Sequence, residues 1–224
     1  METRTTLITA FVEYNSQINL SAIRAPQDIY DKHIVDALEI TQLDVIKPKM
    51  LVADIGTGGG WPLLALAQYY PETNFVGIDA TRKKVNAVRS IADQARLTNV
   101  TAQRWRVEDL TGSYDIITAR AVAYADVLLD WIHPLLKPGW AMILYKLDTE
   151  EENKYITRRC GNNHYDITHE HHYQLAWDET SRILRVLTKH RSHQQKQKDI
   201  SKKNIIVKKD NRRIHQDKNR KIEM

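Results

Sequence analysis

Four glycines lie within positions 56–60, directly after the short apolar run LVADI, and three of them, Gly56, Gly58 and Gly60, fall at alternate positions. Glycine lets the backbone turn sharply, and it leaves room for a ligand because it has no Cβ. Asp54 precedes the glycines, and Asp79 follows Gly60 by 19 residues at the end of a second apolar run, FVGID. A carboxylate in that place can accept hydrogen bonds from the hydroxyls of a ribose. These residues predict a site for a ligand that contains a nucleoside; the alternative is a bare turn with a capping aspartate.

The spacing of the glycines distinguishes between two classes of ligand. The dinucleotide fingerprint G-x-G-x-x-G requires a third glycine three positions after the second. Counted from Gly56 that position holds Trp61, and counted from Gly58 it holds Leu63. The pattern present is Asp-x-Gly-x-Gly-x-Gly, from Asp54 to Gly60, which suits a methionine moiety and a nucleoside without a pyrophosphate. We therefore predict a methyltransferase with S-adenosyl-L-methionine as its cofactor.

The residues after the expected fourth strand bear on which atom is methylated. TARAVA at residues 118–123 lacks the Asp/Asn-Pro-Pro-aromatic box with which amine methylases grip a base nitrogen. Cys160 has no proline before it, which disfavours a cysteine nucleophile for methylation of pyrimidine carbon 5. An acceptor atom with a free lone pair remains, such as guanine N7. Because N7 loses no proton when it attacks a methyl group, no side chain is needed as an obligatory base.

The elements that must position these residues follow from hydrophobic periodicity. Helical spacing is found from Leu7 to Ile18 and at residues 28–40, 62–70, 83–97 and 127–136. Strands are predicted at residues 51–55, 75–79, 100–105, 114–118 and 140–145, with a final pair of strands after them. This alternation predicts an α/β fold of the Rossmann-like class I methyltransferase type, with a doubly wound, mostly parallel sheet and an N-terminal helical extension.

Charge divides the chain into an acidic body and a basic tail. Residues 1–188 carry 20 Lys and Arg against 24 Asp and Glu, whereas residues 189–224 carry 13 against 4. We predict a helical extension at residues 1–47, a cofactor-binding methyltransferase domain at 48–190 and a disordered basic tail at 191–224. The tail has too few apolar residues to offset the entropy of ordering. It either attracts RNA phosphates or only aids solubility.

Composition also limits the cellular setting that we expect. No apolar stretch approaches the roughly 20 residues of a membrane span, and the first residues lack the pattern of a secretory signal. A single cysteine, Cys160, fits a reducing cytoplasm. The spacing of Cys160 with His164, His169, His171 and His172 matches no zinc template, so no metal is expected. We predict a cytoplasmic monomer without a membrane partner.

Residues 14–187 resemble the bacterial 16S ribosomal RNA guanine-N7 methyltransferase family, also called the glucose-inhibited division protein B family. The matching pieces are YNSQINLSAIRAPQDIYDKHIVDAL, DIGTGGGWP, LTNVTAQRWRVEDL, YDIITARAVA and QLAWDETSRILRVLTK. The first piece is not a general methyltransferase feature, so the match is more specific than the glycine loop alone. The resemblance implies methylation of guanine N7 in small-subunit ribosomal RNA, either naked or in a 30S particle.

The resemblance also implies roles for single residues. For the cofactor these are Gly56 and Trp61 around the methionine and adenosine, Asp79 at the ribose, and Val107 and Glu108 at the adenine. Arg120 would lie near the cofactor or the target guanine as a positioning residue. The alternative for Arg120 is an arginine held in the core by a salt bridge.

Three further basic residues are candidates for contact with the substrate. His33 shares a helix face with Asp36 and either forms part of the substrate entrance or braces the N-terminal helices. Arg106 and Lys146 would help to position the RNA. Two other functions stay open at this point. The acidic body favours a methyltransferase for another RNA or a small molecule, and the bulky Trp61 with the tail suggests an RNA-binding module without catalysis.

Overall fold

The computed structural model describes residues 2–120, 125–160, 164–176 and 178–190. All of these except His190 lie in one compact unit, residues 1–189. The predicted basic tail, residues 191–224, lies outside the described residues. Within the described part of the chain, no helix is both long and apolar enough to cross a membrane.

The N-terminal segment is helical, in agreement with the hydrophobic spacing. Helix α1 covers Glu2–Ile18 and buries Leu7 and Phe11. A second helical segment is built from α2 (Pro26–Ile29), a π-helical turn (Tyr30–Val35), α3 (Asp36–Leu38) and a 3-10 helix (Glu39–Leu43). Pro26 suits the first turn of this segment because a helix does not use the N–H that proline lacks there. The π-helical turn and α3 carry His33 and Asp36 on one segment.

A seven-stranded sheet forms the centre of the unit, in the order β3-β2-β1-β4-β5-β7-β6. The strands are β1 (Leu51–Ile55), β2 (Asn74–Asp79), β3 (Val100–Arg104), β4 (Tyr114–Arg120), β5 (Leu136–Leu147), β6 (Tyr165–Leu175) and β7 (Asp178–Lys189). Strands β1 to β5 pair in parallel, whereas β7 runs antiparallel to both β5 and β6. The strand order reverses between β1 and β4. Ligands of such sheets bind at the carboxyl ends of the strands at this reversal.

Helices cover both faces of the sheet. They are α4 (Leu63–Tyr69), α5 (Arg82–Gln94), α6 (Ala125–Ile132) and α7 (Glu150–Cys160). One buried cluster joins the sheet to α1, α4 and α5, and a second cluster joins the other face to α6 and α7. The α/β fold with a doubly wound, mostly parallel sheet is therefore confirmed.

Two elements differ from the prediction. Strand β5 begins at Leu136 and not at residue 140, so Pro138 and Gly139 lie inside a strand. Tyr114 pairs with Leu136 while Ile116 pairs with Ala141, and this shift in register leaves Pro138 in an irregular stretch where its missing N–H removes no regular ladder bond. Helix α7 was not expected from the hydrophobic spacing.

Candidate active site

The glycine-rich loop turns directly after β1, at the strand-order reversal. Gly56, Gly58 and Gly60 have φ values of 67°, 56° and 96°, which residues with a Cβ rarely adopt. A Cβ added to Gly58 would meet, within 4 Å among the described atoms, only the Gly56 carbonyl oxygen at 3.7 Å. A Cβ added to Gly60 would collide with the side chain of Leu64. The loop is thus open on the side of Gly58 and packed against α4 at Gly60.

Asp79 ends β2 beside this loop and fixes its backbone. Asp79 Oδ2 accepts a hydrogen bond from the Gly58 N–H at 3.0 Å, and Oδ1 accepts one from the Thr81 N–H at 2.7 Å. The side chain is only half-buried, and each carboxylate oxygen has a second lone pair. Asp79 therefore holds the loop and keeps acceptor sites for a ligand. The first of these roles was not predicted from the sequence.

Asp54 is buried at the end of β1. Its Oδ1 accepts a hydrogen bond from Thr118 Oγ1 at 2.8 Å, while Oδ2 has no hydrogen-bond partner among the residues that the structure describes. Burial raises the pKa of Asp54 to about 6, although hydrogen bonding and the charge of Arg120 act in the opposite direction. A buried carboxylate oxygen without a partner is costly in free energy. A cationic ligand group at this point would remove that cost.

The carboxyl end of β3 lies next to Asp79. The Trp105 N–H donates to the Asp79 carbonyl oxygen at 3.2 Å. A 3-10 turn, Val107–Asp109, follows, in which Val107 is half-buried and Glu108 is exposed. The residues predicted for the adenine and for the ribose are thus carried by neighbouring strand ends. Arg106 is exposed on the same edge.

Arg120, the last residue of β4, is clamped between two side chains of the N-terminal helical segment. Its Nη1 lies 2.9 Å from Asp36 Oδ2, and its Nη2 lies 3.2 Å from His33 Nδ1. The side chains of Arg120 and Asp36 are 20% and 4% exposed. Tyr173 donates its hydroxyl hydrogen to Asp36 Oδ1 at 2.8 Å. The salt bridge considered for Arg120 is present, and it leaves one part of the guanidinium accessible.

His33 must be neutral to complete this clamp. Because a guanidinium has only donors, His33 Nδ1 accepts from Arg120 and the ring proton lies on Nε2, 3.0 Å from Ser21 Oγ. Burial, followed by the positive charge of Arg120, lowers the pKa of His33 to about 3. The two effects agree in direction, so the ring keeps its acceptor nitrogen at neutral pH.

Trp61 follows the glycine loop, but its side chain packs against His33 of the N-terminal helical segment. The two rings are stacked, with centroids 5.4 Å apart and an interplanar angle of 14°. Phe11 packs against the indole ring, with centroids 5.1 Å apart, and Trp61 is only 5% exposed. The indole therefore fills the space between the N-terminal helices and the glycine loop. Its contact with the cofactor stays a prediction.

Two cavities flank the pair formed by Arg120 and Asp36. One, of about 410 Å³, opens at the carboxyl end of β5 and is also lined by Tyr145, Lys146 and Tyr173. The other, of about 490 Å³, lies on the side of His33. Lys146 Nζ lies 2.7 Å from Glu152 Oε1, and both side chains are largely buried. The first cavity brings together two of the predicted basic residues, Arg120 and Lys146, whereas Arg106 is not part of its lining.

Two of the four histidines near Cys160, His171 and His172, form hydrogen bonds with carboxylates. His171 Nε2 lies 2.9 Å from Glu39 Oε2, and His172 Nδ1 lies 2.9 Å from Asp148 Oδ2. In the part of the chain that the structure describes, no three or more His, Cys, Asp or Glu side chains form a group that could hold a metal ion. These contacts give the two histidines a structural explanation.

Comparison with known sequences points to one family. The model of the GidB family, described as rRNA small subunit methyltransferase G, matches residues 2–174. A relative from Deinococcus radiodurans named ribosomal RNA small subunit methyltransferase G is 37% identical over 153 residues, and one of the same name from Flavobacterium psychrophilum is 34% identical over 127 residues. The alignments cover 66% and 57% of this chain. The chain spans 60% and 61% of the length of these relatives.

Solved structures share the fold at low sequence identity. TrmN from Thermus thermophilus has a TM-score of 0.56 at 20% identity, and covers 70% of this chain and 48% of its own. A putative RNA methyltransferase from Pyrococcus horikoshii has a TM-score of 0.58 at 14% identity, over 85% of this chain and all of its own. Magnesium protoporphyrin IX methyltransferase from Synechocystis, solved with bound SAM, has a TM-score of 0.60 at 18% identity, over 81% of this chain and 97% of its own. The class I methyltransferase fold is common to all three.

Proposed function

Because this chain belongs to the rRNA small subunit methyltransferase G family, we propose that it transfers a methyl group from S-adenosyl-L-methionine to N7 of a guanine in small-subunit ribosomal RNA. The observation that carries the proposal is the open glycine loop with Asp54 and Asp79 on either side of it, in a chain matched to that family over residues 2–174.

The residues at the ends of β1 and β2 fit this cofactor. Asp54 has a buried carboxylate oxygen that can accept from the ammonium group of a methionine moiety, and Asp79 has free lone pairs for ribose hydroxyls. Gly58 leaves the backbone open to close approach. Val107 and Glu108 would border the adenine. When bound, S-adenosyl-L-methionine supplies an electrophilic methyl group on a sulfonium sulfur.

The task of the protein at the acceptor is to align it and to balance charge. Guanine N7 carries a lone pair and no proton, so its methylation needs no base. Arg120 would donate to guanine O6, the acceptor beside N7, and would leave the N7 lone pair free to react. Asp36 would offset the positive charge that the purine ring gains. Because Asp36 and His33 already hold the guanidinium, Arg120 loses little freedom when the base arrives.

The cavity of about 410 Å³ is the proposed site for the target base. Arg120 and Lys146 would supply donors on its wall, and Tyr145 and Tyr173 would supply aromatic surface. Tyr145 donates its hydroxyl hydrogen to the Ala37 carbonyl oxygen at 2.8 Å, so this wall is tied to the N-terminal segment. That segment therefore contributes to the proposed substrate site as well as to the fold.

The experiment uses small-subunit particles and naked 16S rRNA from a strain that lacks this methylation. The purified protein is incubated with each RNA and isotopically labelled S-adenosyl-L-methionine, and the modified nucleoside is mapped by mass spectrometry. We expect 7-methylguanosine at one position. Arg120→Lys keeps the charge but loses the planar fork, and we expect it to lower kcat more than cofactor affinity. Cofactor binding without any methylated RNA would contradict the proposal.

The same experiment distinguishes the proposed function from a second candidate, methylation of another RNA or a small molecule. The net negative charge of residues 1–188 favours this second candidate. Methylation of free nucleosides at a rate equal to that on RNA would support this alternative. The 30S particle as a partner, the monomeric state and the cytoplasmic setting stay predictions, as does an RNA contact of residues 191–224.

A further inference from the structure

The carboxyl end of β3 presents a tryptophan to solvent between two arginines. Trp105 is 50% exposed, and Arg104 and Arg106 on either side of it are exposed as well. A single exposed apolar residue is common on protein surfaces and needs no special explanation. An exposed aromatic ring flanked by cations is different, because aromatic rings and cations together form the surfaces on which proteins bind unpaired nucleic acid.

Backbone contacts bring two further cations to the same surface. Arg104 pairs in register with Asp79, and its Nε donates to the Ala80 carbonyl oxygen at 3.2 Å. Helix α5 begins two residues later, at Arg82, and Lys83 follows it. The ends of β2 and β3 and the start of α5 therefore form one surface.

Helix stability does not explain these cations. The N-terminus of a helix carries partial positive charge, so basic residues in the first turn are unfavourable there. Helix α5 begins with Arg82, Lys83 and Lys84, and its first turn has no acidic residue. Within the described residues, none of the four cations Arg82, Lys83, Arg104 and Arg106 forms an ion pair. Their charge is thus available to a polyanion, although the body as a whole is acidic.

We propose that this surface, formed by Arg82, Lys83, Arg104, Trp105 and Arg106, binds a single-stranded segment of the RNA substrate. An unpaired base stacks on the Trp105 ring, and the four cations contact the phosphates next to it. The inference rests on the proposed function, because it takes RNA as the substrate. It adds a contact that lies outside the cofactor loop and outside the cavity at Arg120.

The distance between this surface and Arg120 determines which base of the RNA can stack on Trp105. Three strand spacings separate the end of β3 from the end of β4, where Arg120 lies. At about 4.8 Å per spacing, this amounts to roughly 14 Å along the edge of the sheet. The base on Trp105 is therefore not the target guanine but a neighbour in the same strand. The surface would hold the flanking strand while the target base enters the cavity.

The test compares Trp105→Ala with Trp105→Phe, which keeps an aromatic face, and with Tyr69→Ala as a matched control. Tyr69 is an exposed aromatic residue too, 55% exposed, but it lies at the end of α4, close to the amino ends of the strands. We expect Trp105→Ala to raise the KM for RNA about 5- to 150-fold, in line with the loss of one stacked base, and to change kcat less than twofold. Trp105→Phe should retain most of the affinity, and Tyr69→Ala should match the wild type.

Affinity for S-adenosylhomocysteine, measured by titration calorimetry, distinguishes a stacked RNA base from the adenine of the cofactor. We expect it to be unchanged in Trp105→Ala; a loss there, or an unchanged KM for RNA, would overturn the proposal. Binding of an RNA oligonucleotide in a mobility-shift assay gives a readout that does not depend on methylation. If the wild type binds RNA and methylates none, the proposed function fails, whereas weaker binding by Trp105→Ala would still support this surface.

The phosphate contacts of the cations are tested separately, through the salt dependence of RNA binding. We expect Lys83→Ala to reduce the slope of log K against log salt by about 0.7 for each phosphate of a single strand that the protein no longer neutralises. Lys47→Ala, at the amino end of β1, serves as the control and should leave the slope unchanged. Equal slopes in both variants would exclude a phosphate contact at Lys83.

Discussion

Replacement of His33 by glutamine should remove a defined part of the pH dependence of stability. His33 is buried against Arg120, and its pKa falls from 6.5 to about 3. Above pH 6.5 the ring is neutral in both the folded and the unfolded chain, so its ionisation contributes nothing. Below pH 6.5, His33 is protonated in the unfolded chain but stays neutral in the folded chain. The wild type therefore loses stability as the pH falls, until it reaches about 3.

The loss of stability at pH 5 is set by protonation of His33 in the unfolded chain, because the folded ring stays neutral at that pH. At pH 5 the folded ring is still neutral, and the unfolded ring is 1.5 pH units below its pKa, which corresponds to about 2 kcal/mol at 1.36 kcal/mol per unit. Asp54, whose raised pKa of about 6 acts in the opposite direction, is present in both proteins and cancels in the comparison.

The assay is urea unfolding of the wild type and His33→Gln at pH 7.5 and pH 5, at one ionic strength. The variant should be less stable at pH 7.5, because it loses the stacking on Trp61 and the hydrogen bond from Arg120. The difference in the free energy of unfolding between the two proteins should shrink by about 2 kcal/mol at pH 5. A change below about 0.5 kcal/mol would show that the ring takes up a proton in the folded protein, and the neutral clamp on Arg120 would be wrong.

Three further predictions concern the loop and the tail. Asp79→Ala should weaken S-adenosylhomocysteine binding about 10- to 100-fold in calorimetry, and Asp79→Asn less, because an amide oxygen can still accept from the Gly58 N–H; equal affinity in all three proteins would count against the ribose role. Gly60→Ala should lower the free energy of unfolding by about 1–3 kcal/mol in urea titrations, since its Cβ would collide with Leu64, and an unchanged midpoint would contradict this packing. Removal of residues 191–224 should flatten the salt dependence of RNA binding, and an unaltered slope would make that segment an aid to solubility only.

The sheet could be predicted from the sequence wherever the signals are local. The run LVADI matches β1, Leu51–Ile55, because an apolar run that ends in glycines has few other solutions in an α/β chain. Helix α7 has no such signal: most of it is polar, and it is held by burial of Ile156 in the second core cluster. The early start of β5 was missed because Pro138 and Gly139 usually end elements, whereas here they lie in an irregular stretch between Leu136 and Ala141, which both pair with β4.

The candidate site, like the sheet, could be predicted only where its residues lie close together in the sequence. The glycines, Asp54 and Asp79 lie close together in sequence, and the structure brings them together at two neighbouring strand ends. The clamp on Arg120 depends on pairs that are far apart, 84 residues for Asp36 and Arg120 and 137 residues for Asp36 and Tyr173. No local pattern shows which buried carboxylate meets which arginine. The close spacing of His33 and Asp36 was the only part of this clamp visible in the sequence.

The clamp also sets an order in which the site can be completed during synthesis of the chain. Asp36 and Arg120 can meet once β4 has emerged from the ribosome, but Tyr173 follows Arg120 by another 53 residues. A nascent chain that has reached β4 therefore carries the whole glycine loop and a carboxylate that lacks its second donor. Pairing of β6 with β7 then brings the Tyr173 hydroxyl to Asp36. A chain interrupted before β6 would hold the elements of the cofactor site and lack a fully fixed arginine.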